Sequence, residues 1–255
     1  MRRVAVTGIG MVSPIGLDRQ STWKGLLAGQ CGVDLITAFD TEGFETRIGA
    51  EAKGFDPLTC MDRKEARRTD RFVQFATAAS IEAVNHAGLE IKGADAGRIG
   101  CIIGSGIGGI ATLSEQFDNL RTKGPSRVSP FLIPMMIVDM ASGHVSIRLG
   151  AKGPNFCTVS ACSSGADAIG ESAEMIRRGD VLAMVAGGAE AAIVPIGLAG
   201  FAAAGALSKR NDNPKEASRP FDANRDGFIM GEGAGILVLE DFEYATARGA
   251  RKRQV

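Results

Sequence analysis

Five short apolar runs constrain this chain more than any single residue does: RRVAVTG (2–8), RIGCIIG (98–104), NFCTVSA (155–161), DVLAMVAGG (180–188) and GAGILVLE (233–240). Each is partly β-branched, and all but NFCTVSA end in glycine or charge, as strands buried on both faces do. Helical patterns over 20–29, 62–87, 110–122, 130–149 and 163–178 largely alternate with them. That alternation predicts an α/β fold on one mostly parallel, helix-covered sheet. At 255 residues, one domain or two closely packed halves both fit.

Lys+Arg and Asp+Glu both number 29, so no global field recruits nucleic acid or an anionic membrane, and any charged partner must be met by a local patch. The uncharged stretch Ala191 to Leu207 holds Pro195, Gly197, Gly200 and Gly205 and is shorter than the roughly 20 apolar residues of a membrane span. It reads as buried loop and helix. Cysteines 31, 60, 101, 157 and 162 form no CxxC pair and no leader pattern precedes them, which predicts free thiols and a cytoplasmic location.

Three motifs invite a ligand. Gly104-Ser-Gly106-Ile-Gly-Gly109 matches GxGxxG after a strand, but SPFLIP stands where a dinucleotide site needs an acidic residue, so a glycine turn lining another cavity competes with a nucleotide site. Asp222-Ala-Asn224-Arg-Asp226-Gly227 copies half a calcium loop. Gly233 occupies the place of its closing glutamate, which favours a structural turn of Asp and Asn side chains and predicts no metal site. Lys64, Arg67, Arg68 and Arg71 fall at i, i+3, i+4 and i+7 of the 62–87 pattern, a basic stripe that suits either solvent or an acidic partner.

Cys162 stands where the 155–161 run gives way to a helix with apolar positions Ile169, Ala173 and Ile176, closed by Arg177, Arg178 and Gly179. A helix N-terminus presents unpaired amides and the positive end of the dipole, the setting of reactive thiolates. Ser163, Ser164 and Gly165 add no bulk, and the Cys162 amide can donate to a developing oxyanion. Cysteines are also commonly inert and buried, the reading given to the other four. The two histidines offer no clear base: His86 sits near a helix C-terminus, where a cation caps the dipole, and nothing in the spacing turns His144 toward the sulfur.

Taken together, RRVAVTGIGMVSPIG, GSGIGG, VSACSSGADAIG, VAGGAEA and GALSKRNDNPKEASRPFDANRDGFIMGEGAGILVLE strongly resemble the β-ketoacyl-acyl-carrier-protein synthases, most closely the elongating synthase II type of fatty acid biosynthesis. The resemblance divides the chain into an amino-terminal synthase domain over 1–249 and a basic tail over 250–255. It implies a thiolase-like fold of two similar halves, each with a mixed five-stranded sheet, in a cytoplasmic homodimer. Only the first half matches here. The implied activity is acyl transfer onto Cys162 followed by decarboxylative condensation with malonyl carrier protein.

The resemblance also assigns roles residue by residue. Ile107, Phe131, Gly197 and Phe201 match residues around the acyl pocket, Phe131 reaching across the dimer interface. Lys64, Arg67, Arg68 and Arg127 match positions that dock the acidic acyl carrier protein. No cofactor is implied beyond the phosphopantetheine carried by that protein. The family's HGT and FGFGG segments do not occur in the sequence, its lysine has no match, and neither His86 nor His144 matches its two catalytic histidines. A truncated synthase, deficient alone, is therefore expected. The rivals are a non-catalytic carrier-binding subunit like a chain-length factor, and a degradative thiolase, which fits the 208–227 tract poorly.

Overall fold

The computed structural model describes residues 1–250, so all but the first residue of the expected tail lies outside the described residues. The first part of the chain forms β1 (Val4–Val12), α1 (Arg19–Leu27), the short strands β2 (Asp34–Leu35) and β3 (Ile48–Gly49), α2 (Arg63–Ala66) and α3 (Arg71–Ala87). Next come β4 (Ile99–Gly104), α4 (Ile110–Lys123), α5 (Leu132–Met136), α6 (Met140–Leu149), β5 (Asn155–Phe156) and α7 (Ser164–Arg178). The last elements are β6 (Ala183–Glu190), α8 (Pro195–Ala203), β7 (Gly233–Asp241) and α9 (Phe242–Ala247).

A five-stranded sheet runs in the order β1-β7-β6-β4-β5, and β2 pairs with β3 apart from it. β6, β4 and β5 are parallel, whereas β7 is antiparallel to both β1 and β6. The sheet is thus mixed, as the family resemblance implies, rather than mostly parallel as the alternation of strands and helices predicts. The reason is topological: β7 follows the long excursion 191–232 instead of a single helical crossover and inserts between β1 and β6 against their direction.

Both faces of the sheet are covered, which is why its strands read as continuous apolar runs. On one face Cys101, Ile103, Val185 and Val238 meet Phe72, Phe75, Ala76, Ala79 and Ala83 of α3 and Val145 of α6. On the other, Ile102, Met184, Ala186 and Leu239 meet Ala168 and Ile176 of α7. The β1 glycines set the spacing on the α3 side: a Cβ at Gly10 would stand 1.8 Å from the Ala79 carbonyl. Among the described residues no helix is long and apolar enough to cross a membrane, and the 191–207 stretch is loop and α8.

Three expected elements are shorter. The 62–87 pattern splits into α2 and α3 because Asp62 and Asp70 each cap a helix, Asp70 also binding the amide (2.9 Å) and hydroxyl (2.6 Å) of Thr112. The 130–149 pattern splits into α5 and α6 where Met136 and Val138 press on Gly108 and Gly109. β5 ends at Phe156, since the Thr158 and Ser160 side chains bond toward α7 instead of extending a ladder.

The C-terminal end is tied to the α3 end by one buried ion pair. Glu240 is fully buried, and Arg248 donates from Nε to its Oε2 at 2.7 Å. The same guanidinium donates to the carbonyls of Ala87 and Gly88, and Thr7 donates to Glu240. Arg248 therefore supplies the cation expected of His86 at the α3 C-terminus. His86 instead accepts the Ile9 amide at Nδ1, 3.1 Å away. Removing Arg248 leaves a buried carboxylate uncompensated, so Arg248→Ala should lose about 3–5 kcal/mol in denaturant unfolding. A loss below about 1 kcal/mol would show that the pair does not anchor the end.

Candidate active site

The parallel strands β4, β6 and β5 end at one edge, where crossovers leave in opposite directions and cover opposite faces. Such switch points are where α/β sheets place their sites. Cys162 stands on this edge, exposed to solvent. It lies in the one-turn 3-10 segment Ala161–Ser163, immediately ahead of α7, with Ser163 as the helix N-cap. Ala161 has φ 52°, a left-handed conformation unusual for a residue with a side chain, and this turn lifts the thiol out of the sheet edge.

The elbow sits close to the sheet because no side chains intervene. A Cβ at Gly104 would stand 2.2 Å from the Ser164 carbonyl oxygen and 2.8 Å from Thr158 Oγ1. One at Gly165 would stand 3.2 Å from the Cα of Gly188, the partner of Gly104 across the β4–β6 ladder. Ser164 and Thr158 then stitch the turn: Thr158 Oγ1 donates to the Ser164 carbonyl (2.7 Å) and Ser164 Oγ to the Ala161 carbonyl (2.7 Å). Ser160 Oγ donates to Asp167 in the first turn of α7.

The glycine-rich loop after β4 forms a concavity of backbone amides, the feature that suits GxGxxG loops to phosphate. Here Glu190 at the end of β6 occupies it. Its Oε2 accepts the amides of Gly106 (2.7 Å) and Ile107 (3.2 Å), and Oε1 accepts the Ser105 hydroxyl (2.9 Å). The loop therefore holds a carboxylate of its own chain. Burial pushes the Glu190 carboxyl above its ordinary value, partly opposed by these hydrogen bonds.

The half calcium loop is likewise used internally. Asp226 accepts the Ser208 hydroxyl (2.8 Å) and the Lys209 amide (3.0 Å), while Asp222 accepts the Asn224 amide (2.7 Å). This is a turn of Asp and Asn side chains. Among the described residues no group of His, Cys, Asp and Glu could hold a metal.

Ile107 and Phe201 share one apolar cluster with Ile193, Leu198 and Met230, and Phe201 packs edge-on to Phe228 at 5.3 Å. Gly197 is buried in the adjoining α8, where a Cβ would stand 2.3 Å from the Ala192 carbonyl. It permits helix packing rather than opening a wall. Phe131 is apart from this cluster, under the guanidinium of Arg68 at 4.3 Å.

The basic stripe is not one helix face. Arg71 turns inward, donating to Glu232 from Nε (3.0 Å) and Nη2 (2.7 Å) and lying over Phe75. Lys64, Arg67 and Arg68 remain exposed on and after α2, and Arg127 is exposed on the loop following α4. His144 is committed to the same region. Its Nε2 lies 3.1 Å from Glu65 on α2, not at the thiol, and desolvation holds its pKa below the usual histidine value. Of the other cysteines only Cys101 is fully buried, Cys31, Cys60 and Cys157 being partly so.

Ser164, Thr158, Asp167 and Glu190 carry the elbow and its loop, and none of them stands out in the sequence for that work. The density of hydroxyls in TVSACSS, directly before a helix, is the signal that marks the first two.

The match to known proteins spans nearly the whole chain. Residues 1–245 match the model of the beta-ketoacyl synthase N-terminal domain. The 3-oxoacyl-[acyl-carrier-protein] synthase 2 of Synechocystis sp. is 54% identical over 250 residues, covering 98% of this chain and 60% of the relative. That of Vibrio cholerae is 52% identical with the same coverage. The chain therefore spans about 60% of the length of these curated relatives. A beta-ketoacyl synthase structure from Burkholderia phymatum superposes with TM-score 0.88 at 36% identity, covering 99% of this chain and 62% of that one. A type II polyketide synthase acyl-carrier protein in complex with its ketosynthase superposes with TM-score 0.86 at 32% identity, covering 98% of this chain and 61% of that one.

Glu190 makes a pH-dependent contribution whose sign follows from its raised folded value. Its stabilisation is fully present below the ordinary 4.5 and is lost as pH rises through the raised value. Relative to Glu190→Gln, the wild type should lose unfolding free energy as pH climbs from about 4.5 toward neutrality. Parallel denaturant midpoints for both proteins measure this, and a difference that does not vary with pH would contradict the assignment.

Proposed function

Because the chain belongs to the β-ketoacyl synthase family and matches its amino-terminal domain, we propose that it performs the acyl-accepting part of a 3-oxoacyl-acyl-carrier-protein synthase of fatty acid biosynthesis. The observation that carries this reading is the exposed Cys162 on a strained turn at the carboxyl edge of the sheet. The thiol adds to the thioester carbonyl of an acyl carrier protein, a new C–S bond forms, and the electron pair moves onto the carbonyl oxygen. Collapse breaks the old C–S bond, and the phosphopantetheine thiol leaves with the proton released by Cys162. The phosphopantetheine arm arrives on the carrier, so the reaction needs no cofactor of the chain's own.

Condensation with malonyl carrier protein requires decarboxylation and stabilisation of a carbanion. Neither histidine of this chain serves it, His86 being bound to β1 and His144 facing Glu65. We assign that half-reaction to groups the described residues do not supply. The solved ketosynthase and chain length factor pair from the ishigamide system, which superposes with TM-score 0.89 at 33% identity, makes a non-catalytic subunit the rival reading. The presence of Cys162 on its elbow favours an acyl acceptor.

Lys64, Arg67, Arg68 and Arg127 form the face that meets the acidic carrier, with attraction between opposite charges setting the encounter. Ile107 and Phe201 line the acyl end, with Gly197 packing the helix behind them. The chain acts as a cytoplasmic homodimer in this reading. Support for the dimer comes from the two-residue edge strand β5 with Phe156 exposed, and from the exposed apolar side chains Ile133, Ile137 and Val159. In the same reading Phe131, under Arg68, reaches the partner's acyl pocket.

Intact-mass analysis after incubation with hexanoyl carrier protein should give one thioester adduct on the wild type and none on Cys162→Ala. Charge reversal of Lys64, Arg67 and Arg68 together should slow that acylation about tenfold or more at low salt. An adduct that persists in Cys162→Ala removes the thiol from the mechanism, and an unchanged rate in the reversal variant removes the docking face.

A further inference from the structure

The hydroxyl of Ser164 makes two hydrogen bonds that bracket the strained residue. It accepts the amide of Ser160 at 3.0 Å and donates to the carbonyl of Ala161 at 2.7 Å. Ala161 has φ 52°, where a Cβ crowds the following carbonyl, so the conformation persists only when neighbours hold it. Thr158 closes the clamp by donating to the Ser164 carbonyl. Ser164 is 3% exposed, so its hydroxyl is shielded even though Ser160 and Ala161 stand at the surface.

The Ala161 carbonyl shares a planar peptide with the amide of Cys162. In a trans peptide the C=O and N–H point opposite ways, so whatever fixes the carbonyl also aims the amide. The geometry points to Ser164 as a positioning residue for acyl transfer: its hydroxyl, together with its own amide, draws the Ala161 carbonyl toward α7 and thereby turns the Cys162 N–H away from the helix, toward the oxyanion. This rests on the reading of Cys162 as the acyl acceptor. Ser164 touches no reacting atom. It acts by setting the direction of a backbone donor whose worth lies in meeting the negative charge that develops on the thioester oxygen.

Two reactions of the same sulfur separate this role from a general effect on the thiol. Acylation by hexanoyl-N-acetylcysteamine passes through an oxyanion, whereas alkylation by iodoacetamide displaces iodide without one. Ser164→Ala should slow acylation of Cys162 about tenfold or more while changing alkylation less than about twofold. Adding Ala161→Gly should recover part of the loss, because glycine adopts positive φ without Cβ strain.

Labelling of the buried Cys101 reports unfolding in the same samples. If Ser164→Ala exposes Cys101, the double variant decides: renewed protection of Cys101 with recovered acylation supports the role, and anything less overturns it. With Cys101 protected, wild-type acylation in Ser164→Ala, an equal fall in both reactions, or no recovery with Ala161→Gly each overturns it. A wild type that alkylates at Cys162 but is inert to the thioester instead removes the acyl-acceptor reading, and the role of Ser164 falls with it.

Discussion

The contact on which the site depends is the close approach of the first turn of α7 to the ends of β4 and β6. Gly104, Gly165 and Gly188 leave backbone against backbone there, and even one methyl group at Gly104 would overlap the Ser164 carbonyl. Close-packed interiors give little under such intrusion. The chain enters α7 through a left-handed Ala161 because the turn must be made over this platform with no room to widen. The exposed thiol is the outcome: a side chain standing outward from a rigid edge rather than on a mobile loop.

Buried and half-buried carboxylates hold the surrounding loops to the same frame. Glu190 fills the amide concavity after β4, Asp70 joins the start of α3 to Thr112 of α4, and Glu232 clasps Arg71 while accepting the Ala52 amide. Each closes a long sequence separation with several hydrogen bonds to one charged group, the arrangement that makes a buried charge tolerable. These interactions also exclude competing readings of the sequence. An anion-binding loop whose amides already hold a glutamate has no vacancy for a phosphate, and a calcium-like turn whose Asp226 bonds Ser208 is committed to closing its own loop.

The α/β class, the five strands and the elbow position of Cys162 were legible because each is written in local pattern: apolar runs, a helix of period 3.6, and a cysteine at their junction. The antiparallel setting of β7 was not, since strand order depends on where the excursion 191–232 returns and no local pattern records that. The basic stripe misled for a different reason. The spacing of Lys64 to Arg71 assumes one helix, and Asp70 breaks it by capping the second, after which Arg71 finds Glu232 in the core. The elbow's hydroxyl clamp was hidden because Ser and Thr serve caps, turns and solvent alike, and only the positive φ at Ala161 distinguishes this use.

The reactivity of Cys162 is a property of the glycine platform as much as of the thiol, and the most direct measurement alters only the platform. The rate of Cys162 acylation by hexanoyl carrier protein should fall about tenfold or more in Gly104→Ala, with the protein still folded by circular dichroism, because the added methyl displaces Ser164 and the turn it holds. A folded Gly104→Ala protein that accepts the acyl group at the wild-type rate would contradict the claim that the close approach sets the site.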